Sequence, residues 1–362
     1  MRFFRLGDEG PEVLDIQDRL LAVGQAVDDS DRGSMRFGSS TEAAIRDFQR
    51  RRRLPVDGIV GPDTWSQLVE AGFRLGDRAL YLRSPMFRGD DVRELQRKLN
   101  ALGFDSGKQD GLLGPRTAQA TLEFQHNVGH DVDGIVGPHT VATLERMRPP
   151  ARGPSRAEVR EREELRTRHA SIEGQVIAID PGSASSMPIG IAGSGDPGID
   201  TYAIAAALAR ELAAAGAKPA LLRGEGEDPS PTDRARTAND LGAAVCVSVM
   251  PPSDLGATGP SCAFFGGATS HSPAGMLLAR LILDELESAL HRKGRLRRLT
   301  GALLRETRMP AVQVEPFVGG HEGGSPRPGD ADPVDSIAYA VSAGVRRFFR
   351  GGESGGEKPV PT

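Results

Sequence analysis

Two segments of this chain are copies of one another. FQRRRRLPVDGIVGPDT begins at Phe48 and FQHNVGHDVDGIVGPHT at Phe124, with the same spacing from Phe-Gln to Val-Asp-Gly-Ile-Val-Gly-Pro. Upstream, GPEVLDIQDRLLAVG pairs with GDDVRELQRKLNALG. Self-similarity of this kind marks one structural unit used twice. Each copy opens with an amphipathic helix, its stripe formed by Val13, Ile16 and Leu20 in the first and by Val92, Leu95 and Leu99 in the second. In copy one a second helix is predicted from Ser39, with Glu42 three residues on in the spacing of a capping box. A third follows each Gly-Pro and carries Trp65, Leu68 and Val69, or Val141, Leu144 and Met147. Proline suits a helix start because its missing N–H would be unpaired there anyway.

These copies resemble the three-helix peptidoglycan-binding repeat found beside many cell-wall hydrolases, over residues 5–72 and 83–147. Copy one departs from the pattern. Its first loop, QAVDDSDRGSMRFG, is three residues longer and lacks the Asp-Gly that copy two has at Asp110-Gly111. Phe48, Phe124 and the Gly-Pro pairs are read as residues that specify the fold. Arg50 to Arg53 reads as a solvated helix end, where cations suit the negative end of the macrodipole; contact with an anionic partner is the alternative.

The expected organisation is a first repeat at 1–74, a second at 75–147, a charged linker at 148–173, an α/β domain at 174–350 and a tail at 351–362. The linker opens with Pro and Gly, and Ser155 with Glu158 has the spacing of a short exposed helix. From Gly174 onward strand and helix alternate. Strands are predicted at 176–179, 220–222, 244–249, 262–265 and 311–314, and helices at 201–215, 234–241, 274–290 and 334–349. The fold class expected is therefore α/β, a mostly parallel sheet flanked by helices, preceded by two small all-α three-helix repeats.

The α/β segment resembles the zinc-dependent N-acetylmuramoyl-L-alanine amidases. VIAIDPG, starting at Val176, is similar to the family's first strand and turn. DRARTANDLGAAVCVSV, from Asp233, is similar to its helix, Ala-Asn pair and Ser-containing strand, and ETRMPAVQVE, from Glu306, to its Met-Pro-Ala lead into a catalytic glutamate. The resemblance implies three zinc ligands and a glutamate base. The first ligand position, directly after Asp-Pro-Gly, holds Ser183. The second, by spacing, holds Pro197, with Asp196 one residue away. The third, at the end of the Ser-containing strand, holds Met250. Zinc prefers imidazole, thiolate and carboxylate donors, so the expectation is that the metal ligands are lost and no cofactor is bound. Glu315 is a vestigial match to the general base. A relocated metal site built from His271 and His321, with Glu315 or Asp196, is the alternative weighed against this.

Bulk properties bound the function. Net charge is −4, so broad nucleic-acid or membrane binding is not indicated. Cys246 and Cys262 are too few for a disulfide scaffold and suit a reduced compartment. No transmembrane stretch and no signal peptide are recognised, and a cytoplasmic protein is expected. Two repeats, a linker and an amidase domain lacking its ligands resemble a group of actinobacterial homologues. That resemblance implies a catalytically inactive regulator of peptidoglycan precursor synthesis. Its implied partners are the enolpyruvyl transferase of that pathway and Ser/Thr-kinase or forkhead-associated signalling proteins, and a muramyl peptide is the small ligand suggested. The tail, rich in Gly and Ser, is expected to be disordered, with Thr362 and Ser354 as phosphorylation candidates. A working amidase and a non-catalytic peptidoglycan-binding module stay open as alternatives.

Overall fold

The computed structural model describes residues 3–147, 160, 171–182, 200–253, 258–267, 270–316 and 332–351. The first repeat contains α1 (Pro11–Ala22), α2 (Asp29–Gly33), α3 (Ser39–Arg52) and α4 (Pro62–Glu70). The second contains α5 (Asp90–Ala101), α6 (Pro115–Asn127) and α7 (Pro138–Arg146). The predicted stripes close two separate cores, around Ile16, Ile45 and Phe48 in one and Leu95, Leu99 and Phe124 in the other.

The shared motif is held by a glutamine. Gln49 on α3 donates through its amide to Asp57 Oδ1, to the Ile59 carbonyl and to Thr64, while its Oε1 accepts from Gly58 N–H. Gln125 repeats the Asp, carbonyl and Gly contacts at Asp133, Ile135 and Gly134. Gln96 on α5 makes the full set with Asp110, Leu112, Thr117 and Gly111. These buried amides satisfy loop backbone that would otherwise lack partners, which is how the Asp-Gly-x-x-Gly-Pro-x-Thr spelling fixes the turn before each following helix.

The long first loop of copy one breaks this pattern. Met35, at φ 50°, stands where copy two has Gly111 at φ 78°. Gln17 keeps the Arg36 carbonyl and Thr41, but its Oε1 has no partner. The extra residues form α2, whose Asp31 accepts from Ser40 Oγ, Thr41 Oγ1 and Thr41 N–H. Burial and these hydrogen bonds act oppositely on Asp31, and the hydrogen bonds win, holding its carboxyl below the usual range. The predicted capping box at Ser39 does not form. Gly38 is the N-cap of α3 without a side-chain cap, and Glu42 turns instead to Arg46, 2.9 Å away. Asp31 supplies the cap from a distance.

The α/β domain runs β1 (Val176–Asp180), α8 (Thr201–Ala214), β2 (Lys218–Leu221), α9 (Pro231–Asp240), β3 (Val245–Val249), β4 (Ser261–Phe265), α10 (Pro273–Leu290), β5 (Arg295–Leu299), α11 (Ala302–Glu306), β6 (Ala311–Glu315) and α12 (Pro333–Phe349). The strand order is β2-β1-β3-β6-β4-β5. Four strands are parallel. β4 runs antiparallel to β6, and β5 pairs parallel with β4. The sheet is thus mixed, and β5 and α11 are additions to the predicted elements.

Alternation along the strands separates two cores. Ile177, Ile179, Val245, Val247, Val312 and Val314 face α8, α10 and α12. Ala178, Cys246, Ala263 and Ala311 face α9 and α11. Helices α10 and α12 cross at Gly344, where an added Cβ would lie 2.5 Å from the Ile282 Cα. Cys246 and Cys262 are buried free thiols whose pKa values are pushed up by burial.

Both repeats dock on α11. Arg305 is almost wholly buried and bonds Glu70 of α4 at 2.7 and 3.2 Å and Glu306 at 3.1 Å; Glu306 in turn takes a bidentate Arg88 from the second repeat at 2.6 and 2.9 Å. Burial opposes the Arg305 charge, but Glu70 and Glu306 outweigh it and raise its pKa. Burial likewise pushes Glu306 up, and Arg88 with Arg305 more than offset it, leaving its carboxyl below the usual range. Lys108 Nζ donates to the Thr307 carbonyl at 2.7 Å. Of the linker, Arg160 is described and pairs with Asp105 at 2.7 Å; the predicted Ser155 helix otherwise lies outside the described residues.

Candidate functional site

The parallel strands β1, β3 and β6 end at one edge of the sheet. Their register places Asp180 beside Ser248, Ser248 beside Gln313, Gln313 beside Ala263 and Ala263 beside Arg297. A row that is polar except at Ala263 therefore crosses five strands on the face turned toward α9. One row nearer the edge, Glu315 lies beside Ser261, and Met250 N–H donates to the Val314 carbonyl at 2.8 Å.

Asp180 accepts three hydrogen bonds and Glu315 five. Asp180 Oδ1 accepts from Arg234 at 2.5 Å and from Gly182 N–H at 3.2 Å, and Oδ2 from Ser248 Oγ at 2.6 Å. Glu315 Oε2 accepts from Ser261 at 2.9 Å, Arg297 at 3.0 Å and Ser253 at 3.2 Å. Its Oε1 accepts from Arg297 at 3.2 Å and Gln313 at 3.3 Å. A carboxylate offers about four lone-pair sites, and the contacts to Glu315 fill them. Arg297 reaches Glu315 from the edge strand β5 across the small Ala263.

The turn after β1 is pinned from both sides. Arg223 donates to the Gly182 carbonyl at 2.5 Å and to the Pro181 carbonyl at 3.4 Å, with its guanidinium over the Tyr202 ring. Gly182 has φ 64°, and a Cβ there would meet the Val249 carbonyl at 2.5 Å and Met250 Sδ at 2.9 Å. The turn at Gly182 rests directly on Met250, the third ligand position named from the sequence.

Ser183, Pro197, Asp196, His321, Ser354 and Thr362 lie outside the described residues. At the corner itself the donors offered are the Met250 thioether and two carboxylates already held by arginines. Among the described residues no three His, Cys, Asp or Glu side chains group closely enough to hold a metal ion. The donors that the described residues offer here do not by themselves fit zinc. His271 does not help. Because β4 is antiparallel to β6, the Phe265–His271 end lies at the opposite edge from Glu315, where His271 bridges Gly266 and stands edge-on to Phe264.

Sequence reasoning missed Arg297, Arg234, Ser248 and Ser261. Arg297 was hidden because RLRRL reads as a charged segment. Charge on an edge strand is a normal device against edge-to-edge pairing, and that was the available signal.

Two helical repeats followed by an α/β domain with a carboxylate-bearing strand edge define the class. A family profile described as a putative peptidoglycan binding domain matches residues 9–68 and 88–144, and one described as N-acetylmuramoyl-L-alanine amidase matches 177–347. The chain is 34% identical to N-acetylmuramoyl-L-alanine amidase CwlM of Mycobacterium tuberculosis, over 99% of this chain and 92% of that protein. N-acetylmuramoyl-L-alanine amidase CwlL of Bacillus licheniformis is 32% identical over 39% of this chain and 44% of its own length. Among solved structures, the amidase Ami1 of Mycobacterium smegmatis aligns with 49% of this chain and 98% of its own, at 21% identity and a TM-score of 0.40. The chain belongs to the N-acetylmuramoyl-L-alanine amidase family.

Proposed function

We propose that the chain is a catalytically inactive amidase homologue that regulates peptidoglycan precursor synthesis in the cytoplasm through protein partners. The observation that carries this reading is the Glu315–Arg297 pair. The glutamate that matches the family's base is closed in by an arginine, two serines and a glutamine, which leaves no lone pair directed at a substrate water. Met250, in contact distance of the Gly182 turn, supports it from the other side of the corner. The residues at positions 183 and 197, Ser and Pro, add no zinc donor of the usual kind.

On this reading the inherited domain serves for binding. Resemblance supplies the proposed partners, namely an enolpyruvyl transferase and kinase or forkhead-associated signalling proteins, with Thr362 and Ser354 as the modification sites. A muramyl peptide is the proposed small ligand.

The test is made on full-length protein purified without a histidine tag. Elemental analysis is expected to find zinc well below one equivalent, and purified peptidoglycan is expected to release no stem peptide freed from its muramoyl groups, with or without added zinc. Stoichiometric, chelator-sensitive zinc accompanied by amide cleavage would overturn the proposal. A pull-down from cytoplasmic extract, with and without kinase treatment, tests the partner half of the reading.

A further inference from the structure

The run Arg50–Arg53 does not end in open solvent. The last turn of α3, the first turns of α5, the segment after α4 and the β5–α11 connection enclose a cleft of about 570 Å³. Six arginines line it, Arg51, Arg52, Arg53, Arg74, Arg93 and Arg97, against two carboxylates, Asp90 and Glu94. Those carboxylates are consumed. Asp90 is gripped by Arg52 at 2.7 and 2.6 Å and by Arg93, and Glu94 by Arg97 at 2.7 and 2.6 Å.

Two carbonyls at the negative end of α3 are occupied by Thr300. Thr300 Oγ1 donates to the Arg52 carbonyl at 2.5 Å and Thr300 N–H to the Arg53 carbonyl at 3.1 Å. Arg53 and Arg74 make no side-chain hydrogen bond or ion pair among the described residues. Burial pulls the Arg93 pKa below its ordinary value, and Arg52 and Arg305 add to that effect against the opposing pull of Asp90. The protein has gathered cations faster than it has neutralised them, in a place partly withdrawn from water. Such a surplus attracts anions from solution.

Guanidinium forks match the paired oxygens of phosphate groups. The volume is that of a small-molecule site and is too large for one phosphate. Among the described residues, two unpartnered guanidiniums stand beside four that are already paired with Asp47, Asp90 and Glu94, and the two suit an anion carrying at least two negative charges. We propose that this cleft binds the diphosphate group of a soluble small molecule, with the half-buried Arg53 and the exposed Arg74 as its principal contacts and Arg51 and Arg97 beside them. The site joins both repeats to the α/β domain and stands apart from the Glu315 corner, so it does not depend on whether that corner is catalytic.

Calorimetric titration of the full-length protein with inorganic pyrophosphate tests this. Saturable binding that weakens with added salt is expected, tighter than that of inorganic phosphate. The double variant Arg53→Gln/Arg74→Gln should weaken it about tenfold or more while leaving the melting temperature of the free protein nearly unchanged, since neither side chain makes a hydrogen bond or ion pair among the described residues. No saturable binding, equal affinity for phosphate and pyrophosphate, or undiminished binding by the double variant would each overturn the proposal. Binding of a phosphothreonine peptide in the absence of pyrophosphate binding would overturn it too, by assigning the cleft to a protein ligand.

Discussion

Arg305 of the α/β domain and Glu70 of the first repeat are joined by two hydrogen bonds, although 235 residues separate them, and both side chains are almost completely buried. Glu306 and Arg88 extend the pair into the second repeat. The repeats are therefore part of one body with the α/β domain, held by charge that is costly to leave unpaired. Arg305→Met should strand Glu70 in the interface and leave Glu306 with Arg88 as its remaining cation. Removing one partner of a buried pair costs about 3–5 kcal/mol, and calorimetric melting of the variant should show a much lower transition or a separate one for the repeats. An unshifted single transition would contradict this account.

The same network carries a pH dependence. The folded Glu306 carboxyl lies below its usual value of 4.5. Its contribution is present above that value and is lost as pH falls through the lower, folded one. Acid should loosen the docking of the repeats, and limited proteolysis across this range should cut between the domains at low pH first. Arg88→Met removes the hydrogen bonds to Glu306 and should shift that onset to higher pH.

Asp110 behaves oppositely. Burial raises its pKa above 3.8, outweighing the hydrogen bonds from Gln96 and Leu112. Its charge is thus a cost in the folded state at neutral pH, a cost relieved as pH falls through the raised value. Asparagine keeps the acceptor oxygen for both donors and cannot ionise. Asp110→Asn should raise the melting temperature at pH 7, with the gain shrinking toward pH 3.8. A gain independent of pH, or a loss, would show that the charge itself is needed.

Much of this could be read from the residues. The apolar run at 176–179, the Ala-rich helix from Thr201 and the duplicated motif each have a local pattern, and each element was placed within a few residues. What could not be read has no local pattern. Strand direction is one example: nothing in SCAFF marks β4 as antiparallel, yet that reversal sends His271 away from Glu315 and brings Ser261 to it. The RLRRL strand is another, since its alternating arginines outweigh its two leucines in any apolar count. The docking of Glu70 on Arg305 is a third, because neither residue has a neighbour in sequence that announces it. Met250, named from resemblance, lies against the Gly182 turn.

The glutamine contacts allow a comparison inside one molecule. Gln96 uses both ends of its amide, whereas Gln17 uses only its N–H group and leaves Oε1 unpartnered. An unsatisfied buried group costs about 1–3 kcal/mol. Gln96→Leu strands Gly111 N–H and the Leu112 carbonyl, while Gln17→Leu strands one carbonyl and removes an orphaned oxygen. Chemical denaturation should therefore find Gln96→Leu the more damaging by at least about 1 kcal/mol. Equal losses would mean that leucine's packing, and not the backbone contacts, sets the result.

The Glu315 corner predicts an asymmetry between its two charged members. Glu315 is nearly buried, and Arg297 is about a quarter exposed, at 7% and 28% of the side chain respectively. Glu315→Gln keeps an acceptor for Ser261 and leaves a cation that can reach water, so its cost should be small, about 1 kcal/mol. Arg297→Met leaves the carboxylate closed in with only neutral donors, at a cost nearer the 3 kcal/mol end of the range for stranded buried charge. If Glu315 served a bound water as a base, Glu315→Gln would abolish the protein's function at unchanged stability. On the reading proposed here, complementation by Glu315→Gln should be close to that of the unaltered chain, while Arg297→Met should fail in proportion to its lost stability. Measuring melting temperature and complementation together for both variants separates the two, because only a catalytic glutamate would lose function without losing stability.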